Sequence, residues 1–363
     1  MNPILSVLAS LCLLLCQPAA ARSAARPEQQ PGVYTVGNLF FTQPEIVELT
    51  LSLPLTRVLS DRGPSPRLHP ATLSYRDADA TTKTLAVQVQ VRGNRRKDPT
   101  VCEFPPLLVA FPPEAAPGTL FGPVSELKLT THCLSDTYTL REYLVYKLYN
   151  VLTDMSYRTR LCRITYRDNS GRANAMVRYA FFLESTEAMA RRNQAKVIPK
   201  KLFIGMENVN PAAMATLAVF QYMVGNTDWS VPYRHNIRLL TQNVQSAPVP
   251  VPYDFDYSGL VMAPYAVPPE QLGITSVRQR LFRGYDFAPE TYAAVRNLFN
   301  ARRAALYQVY SSCVYLSPKE QEFAISYLDG FFETLNDAKA FERYVVRMGQ
   351  RNEKKRLQIR GLD

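Results

Sequence analysis

In the stretch TLAVQVQV, Leu85, Val87, Val89 and Val91 alternate with Ala86, Gln88 and Gln90 without a fault. Successive side chains of a strand point to opposite faces, so this run carries one apolar and one polar face. It commits the chain to a half-buried sheet, which needs partners of the same kind. EIVELTLSL supplies one, with Leu49, Leu51 and Leu53 in a single phase. PPLLVAF and SELKLTT add two short strands, the second with Lys128 between two inward leucines. CRITYRDNSGRANAMVRYAFFLES reads as a hairpin that turns at Asp168–Gly171.

Helical spacing enters with TYTLREYLVYKLYNVL, where Leu140, Leu144, Leu148 and Val151/Leu152 share a stripe. Thr139 followed by Glu142 matches a capping box. ESTEAMARRN reads as a short helix. NVNPAAMATLAVFQYMVG predicts a longer one, with Asn210 as N-cap, Pro211 in the first turn and Gly225 just past the end. HNIRLL and VPVPYDF form two short strands around TQNVQSAP, and prolines 248, 250 and 252 confine the second to an edge. From Pro289 onward, aromatic-rich helices dominate. The order is a β-rich part over 45–185, then a helical part over 186–350 and a basic tail over 351–363.

The chain is 47% hydrophobic and 20% charged, which predicts a packed core and excludes global disorder. Its net charge of +11 suits an acidic partner: nucleic acid, a phosphate ligand or an anionic surface. No basic block is interleaved with aromatics, so no nucleic-acid groove is expected. The uncharged run ILSVLASLCLLL, followed by Ala19-Ala20-Ala21, reads as a signal peptide over 1–21, with a linker over 22–44. The run is too short for an ordinary membrane span, which takes roughly 20 apolar residues. Export to a periplasm, a cell surface or the medium is the expectation, without an integral anchor. The remaining cysteines, Cys102, Cys133, Cys162 and Cys313, have no zinc spacing and read as bridges or buried thiols, with the pairing open.

Polar chemistry gathers in VGNTDWSVPYRHNIRLL and PYDFDYSG. A helix end followed by a hairpin can bring Asp228, Asn236 and Asp254 to one edge. Two carboxylates and an amide oxygen suit a hard cation such as Mg²⁺, which keeps waters or substrate phosphates as its other ligands. The competing reading is a loop whose Asp and Asn side chains satisfy local backbone.

Five segments in order resemble the spore-coat CotH kinase family. They are EIVELTLSL through LAVQVQVRGNRR, ELKLTTHCLSDTYTLREYLVYKL, MVRYAFFLES, NTDWSVPYRHNIRLL and VPYDFDYSG, together covering roughly residues 45–260. The resemblance implies an α+β fold of protein-kinase type, with a β-rich N-lobe, a mainly helical C-lobe and the site between them. It implies Asp228 as the catalytic carboxylate. Asn236, Asp254 and Asp256 would hold Mg²⁺ or Mn²⁺. Lys128 would reach the ATP phosphates and Glu142 would pair with it, with Arg92 able to hold phosphate and Glu184 near the adenine. The function implied is ATP-dependent phosphoryl transfer to a hydroxyl of an exported protein. Two departures stand out. Asp228 and Asn236 are eight residues apart, wider than the HRDxxxxN loop, and no GxGxxG loop is present. Arg95 and Arg96, beside the Arg92-Gly93-Asn94 turn, are candidates to cover the phosphates instead. A non-catalytic secreted binding protein and a nucleotidyl transferase are therefore alternatives.

Overall fold

The computed structural model describes residues 40–114, 118–122 and 124–355, all within one compact unit. The expected signal peptide, most of the 22–44 linker and most of the 351–363 tail lie outside the described residues.

Seven strands close into a barrel: β1 (Val47–Leu53), β2 (His69–Arg76), β3 (Thr82–Val91), β4 (Leu107–Ala110), β5 (Glu126–Thr130), β6 (Thr159–Asp168) and β7 (Met176–Leu183). Their order is β1-β2-β3-β4-β5-β7-β6. Neighbours run antiparallel except β6 and β1, which pair in parallel from Val47 opposite Cys162 to Leu53 opposite Asp168. The period-two pattern decides what fills the barrel. Leu51 stands opposite Leu73, Leu73 opposite Leu85, Val89 opposite Val109 and Leu129 opposite Phe182, so each inward set lies beside the next. Phe40, Phe121, Phe182 and Tyr166 are fully buried among them, which makes the interior a packed core.

Helix α1 (Leu55–Ser60) follows β1 and packs against β3 and β6, and α2 (Asp136–Leu152) follows β5. After the barrel come α3 (Thr186–Arg192), β8 (Lys196–Val197), α4 (Pro211–Val224), β9 (Ile237–Thr241) and β10 (Val249–Pro252). The chain continues with α5 (Pro289–Ser311), α6 (Pro318–Asn336), α7 (Ala338–Phe341), a π-helical turn at Glu342–Val346 and α8 (Arg347–Lys355). Strands β8, β9 and β10 form a second sheet with β10 at its edge, where its prolines leave no ladder donor missing.

The two-lobed kinase-like fold is overturned by this arrangement. The parallel β1–β6 pairing closes the sheet into a mixed barrel and removes both of its edges. Beyond the barrel, the two strands read from HNIRLL and VPVPYDF do form, joined by β8 into a three-stranded sheet. The cores also interlock. In the apolar run AFFL of β7, Ala180 and Phe182 face the barrel interior while Phe181 and Leu183 join a second core with α2, α4, α5 and α6. A strand buried on both faces reads as an unbroken apolar run, as this one does. Tyr146 of α2 packs edge-on to Phe181, 5.6 Å between ring centroids, and to Phe255, 4.7 Å away.

Local signals held well at α4: Asn210 Oδ1 accepts from the Ala213 amide at 3.0 Å, and Gly225 ends the helix at φ 69°, a left-handed position suited to glycine. The capping box at α2 did not form. Ser135 is the N-cap, accepting from the Thr137 amide, and Thr139 donates to the Thr131 carbonyl. Glu142 is thereby left to another partner.

Cys102 and Cys133, 31 positions apart in sequence, are disulfide-bonded; Cys162 and Cys313 are buried thiols. The bridge ties the loop after Arg95–Lys97 to the residues that enter α2. Replacing both cysteines by serine should cost about 2–4 kcal/mol. The drop in denaturation midpoint, matched in wild type by reductant, measures it. Among the described residues no helix is long and apolar enough to cross a membrane.

Candidate functional site

β3 ends at Val91, and the chain turns through Arg92, Gly93 and Asn94 into a 3₁₀ turn at Arg95–Lys97. Gly93 sits at φ 101°, which only glycine adopts at little cost. On β5, beyond β4 in the barrel, Leu127 and Leu129 are turned inward, so Lys128 points outward. The opposite wall comes from the residues after α4 and the adjoining ends of β9 and β10. There the Tyr253 amide donates to the Asn236 carbonyl at 3.0 Å, which sets Asn236 beside Asp254.

Between these walls lies a cleft of about 590 Å³. Seven cationic side chains line it, Arg92, Arg95, Arg96, Lys128, Lys200, Arg234 and Arg238, against the carboxylates of Asp228, Asp254, Asp256 and Glu270. Eight residues singled out from the sequence therefore meet here: Arg92, Arg95, Arg96, Lys128, Asp228, Asn236, Asp254 and Asp256. Glu142 lies just behind, reached through Arg96. Glu184 is not among the lining residues. Its buried carboxylate receives the Arg192 Nε at 2.9 Å and the Arg158 amide at 3.0 Å.

Asp228 is fixed from several sides. Its Oδ1 lies 2.9 Å from His235 Nε2, and its Oδ2 accepts from Asn236 Nδ2 at 3.0 Å. Its amide donates to Asn226 Oδ1. Paired backbone bonds between Ser230 and His235 fold the intervening residues back, so Asn236 returns to Asp228 despite the long spacing. Trp229 is buried beneath the Arg283 guanidinium, 5.4 Å from its ring, and Arg283 also donates to the Trp229 carbonyl at 2.7 Å. Asn236 at φ 51° and Asp254 at φ 63° both adopt left-handed backbone, a conformation that costs free energy in non-glycine residues and often marks functional positions.

Arg96 occupies the floor. Its Nη1 donates to Glu142 Oε2 at 3.0 Å, its Nη2 to Asp254 Oδ1 at 2.7 Å, and its Nε lies 3.3 Å from Asp256 Oδ2. Tyr265 donates to the same Asp256 oxygen at 3.1 Å. Burial opposes the charge on Arg96, but Asp256, Glu142 and Asp254 more than reverse that, so its pKa is raised well above the ordinary value. Burial likewise pushes the Asp256 and Glu142 carboxyls upward, against the pull of Arg96.

Lys128 differs. Burial first, then repulsion from Arg92 and Arg238, lowers its pKa to about 8. It is cationic below that pH and loses its charge above it. Inorganic triphosphate binding is expected to weaken as pH rises from about 7 to 9, the range spanning that pKa. A Lys128→Met variant titrated by calorimetry over the same range should show a flatter profile.

Among the described residues, no group of three or more His, Cys, Asp and Glu side chains could hold a metal ion. The donor set fits a cation that takes few protein ligands. Asn236 spends its Nδ2 on Asp228, which leaves its Oδ1 as an acceptor, and Asp254 keeps 39% of its side chain exposed to the cleft. A carboxylate and an amide oxygen beside phosphate oxygens suit Mg²⁺ or Mn²⁺. Arg96 holds both aspartates, but Asp256 is the poorer candidate, being buried and also bonded by Tyr265.

Several lining residues were not anticipated. Arg238 alternates with the buried Ile237 and Leu239, and that period-two pattern is the signal that would have placed it outward. Its guanidinium lies over the Tyr253 ring, 4.5 Å from the centroid. Lys200, Arg234 and Tyr265 come from loops and leave no periodic trace. Set against known proteins, the chain matches no family model and no curated protein, so the site must be read from its own chemistry.

Proposed function

We propose that the cleft binds the polyphosphate of a nucleotide such as ATP and transfers a phosphoryl group to a hydroxyl of an exported protein. The observation that carries this reading is the pairing of surplus cations with a fixed carboxylate. Arg92, Lys128 and Lys200 enter no ion pair among the described residues, yet they line the same cleft as Asp228. Arg92 and Lys128 are half-buried and feel Asp254 without coming within ion-pair distance of it, and such a surplus of cations favours an anionic ligand; Arg is suited to phosphate oxygens.

In this scheme Asp228 accepts the proton of the acceptor hydroxyl as its oxygen bonds to the terminal phosphorus. The bond from that phosphorus to the bridging oxygen breaks, and the nucleoside diphosphate leaves with the electron pair. His235 and Asn236 hold the carboxylate in place, while Arg92 and Lys128 meet the charge on the phosphates. Asp254 and Asn236 would hold Mg²⁺ or Mn²⁺, which neutralises phosphate charge. The reading rests on the chemistry of the cleft, not on the fold.

One observation favours a second reading, a non-catalytic secreted binding protein: Arg96 already satisfies Asp254, Asp256 and Glu142. A thermal-shift experiment separates the two. ATP with Mn²⁺ at one hundred times the dissociation constant should stabilise the protein by about 2.7 kcal/mol. Asp254→Ala should abolish the metal-dependent part. No shift at millimolar nucleotide would overturn the nucleotide site, and a shift without transfer to any hydroxyl would favour the binding protein.

A further inference from the structure

Leu202 and Phe203 form the tip of the loop between β8 and α4, 48% and 67% exposed. Tyr233, 47% exposed, stands on the adjacent loop. The two loops are joined: Arg234 Nη2 donates to the Leu202 carbonyl at 2.8 Å. Scattered apolar residues on a surface need no explanation, but three large ones on joined loops at the rim of a cleft form a contact surface. Their neighbours are cationic. Lys200 and Arg234 line the cleft, Lys201 is exposed, and the KVIPKKLFIG segment contains no acidic residue. Arg238 lowers the pKa of Lys200 and of Arg234, after burial in both cases, so these charges stand close together.

Resting on the phosphoryl-transfer reading, we infer that this rim docks the acceptor, and that the acceptor is a polypeptide segment with an apolar or aromatic anchor and carboxylates next to its hydroxyl. Charge complementarity selects the acidic character. The anchor follows from Leu202, Phe203 and Tyr233, which would be wasted on a small hydrophilic acceptor. Continuity of the rim with the wall carrying Lys200 and Arg234 leads such a segment toward Asp228.

The test uses two fluorescent peptides of equal length around a central serine, one carrying Phe and flanking Glu, the other with Lys in place of Glu. Fluorescence anisotropy with the mature chain should show the acidic peptide binding at least about tenfold tighter, a gap that narrows with salt. Leu202→Ser/Phe203→Ser should lose that binding by a similar factor, and Lys201→Glu should lower it while keeping the fold. Equal binding of the two peptides, or acidic-peptide binding that survives both variants, overturns the inference. So does a rim that instead binds phosphatidylglycerol vesicles and loses that in the double variant. The ATP thermal shift is read in parallel. If it is absent while the peptide still docks, the transfer reading fails and the docking surface stands; the reverse result sinks only the docking surface.

Discussion

Replacement of Arg96 by methionine is expected to destabilise the protein by about 3–5 kcal/mol, because it strands charges that the fold has buried around one guanidinium. Most of the penalty falls on Glu142 and Asp256, each nearly inaccessible to solvent. Asp254, more than a third exposed, adds little, since water screens it. The pH dependence provides the control. Burial already raises the Glu142 and Asp256 carboxyls, and removing the cation raises them further. A carboxyl whose folded pKa exceeds its unfolded value contributes stability below the unfolded value and loses it as pH rises through the folded one. The deficit of Arg96→Met should therefore be largest at alkaline pH and shrink on acidification. Chemical denaturation of both proteins across that range measures it. A deficit that does not change with pH would mean that Arg96 acts by packing alone. Arg96→Lys should recover only part of the loss, since an ammonium cannot span three carboxylates as a planar fork does.

If the cleft transfers phosphoryl groups as proposed, Asp228→Asn should lower the turnover by about 10²–10⁴-fold, the range for loss of a general base. The side chain keeps its size and an oxygen to accept from Asn236, so the fold and the nucleotide-dependent thermal shift should persist. Initial rates with a hydroxyl-bearing acceptor supply the number. A rate within a few-fold of wild type would remove Asp228 from proton transfer and leave it a purely structural member of its loop.

These two residues also show how far the sequence could be read. Asp228 was legible because its helix announces itself: Asn210, Pro211 and Gly225 bracket α4, and the polar loop follows directly. Lys128 was legible through the two leucines that force it outward. Arg96 was legible in RGNRRK as a cation that could cover phosphates; its role at three carboxylates was illegible, because those partners lie 46 to 160 residues away with no periodic pattern linking them. Glu142 misled for a related reason. Thr139 three residues earlier mimics a capping box, but Ser135 reached the helix start first and freed Glu142 for Arg96. Barrel closure was illegible too. Alternation says which face of β1 is apolar, but it carries no word of which distant strand will lie alongside.

That closing pair has a consequence for how the chain reaches its native state. β1 finds β2 after a short connection, but its other neighbour, β6, begins more than a hundred residues later, after α2 has been made. Contacts of such long sequence separation are slow to form, because the intervening chain must first be organised. Refolding should therefore pass through a stage in which the β2–β3 and β6–β7 hairpins and α2 are protected from amide exchange while β1 is not. A fragment that stops after β7 would have both closing strands yet leave Phe181, Leu183 and the matching face of α2 without their cover. Such a half-molecule is expected to aggregate.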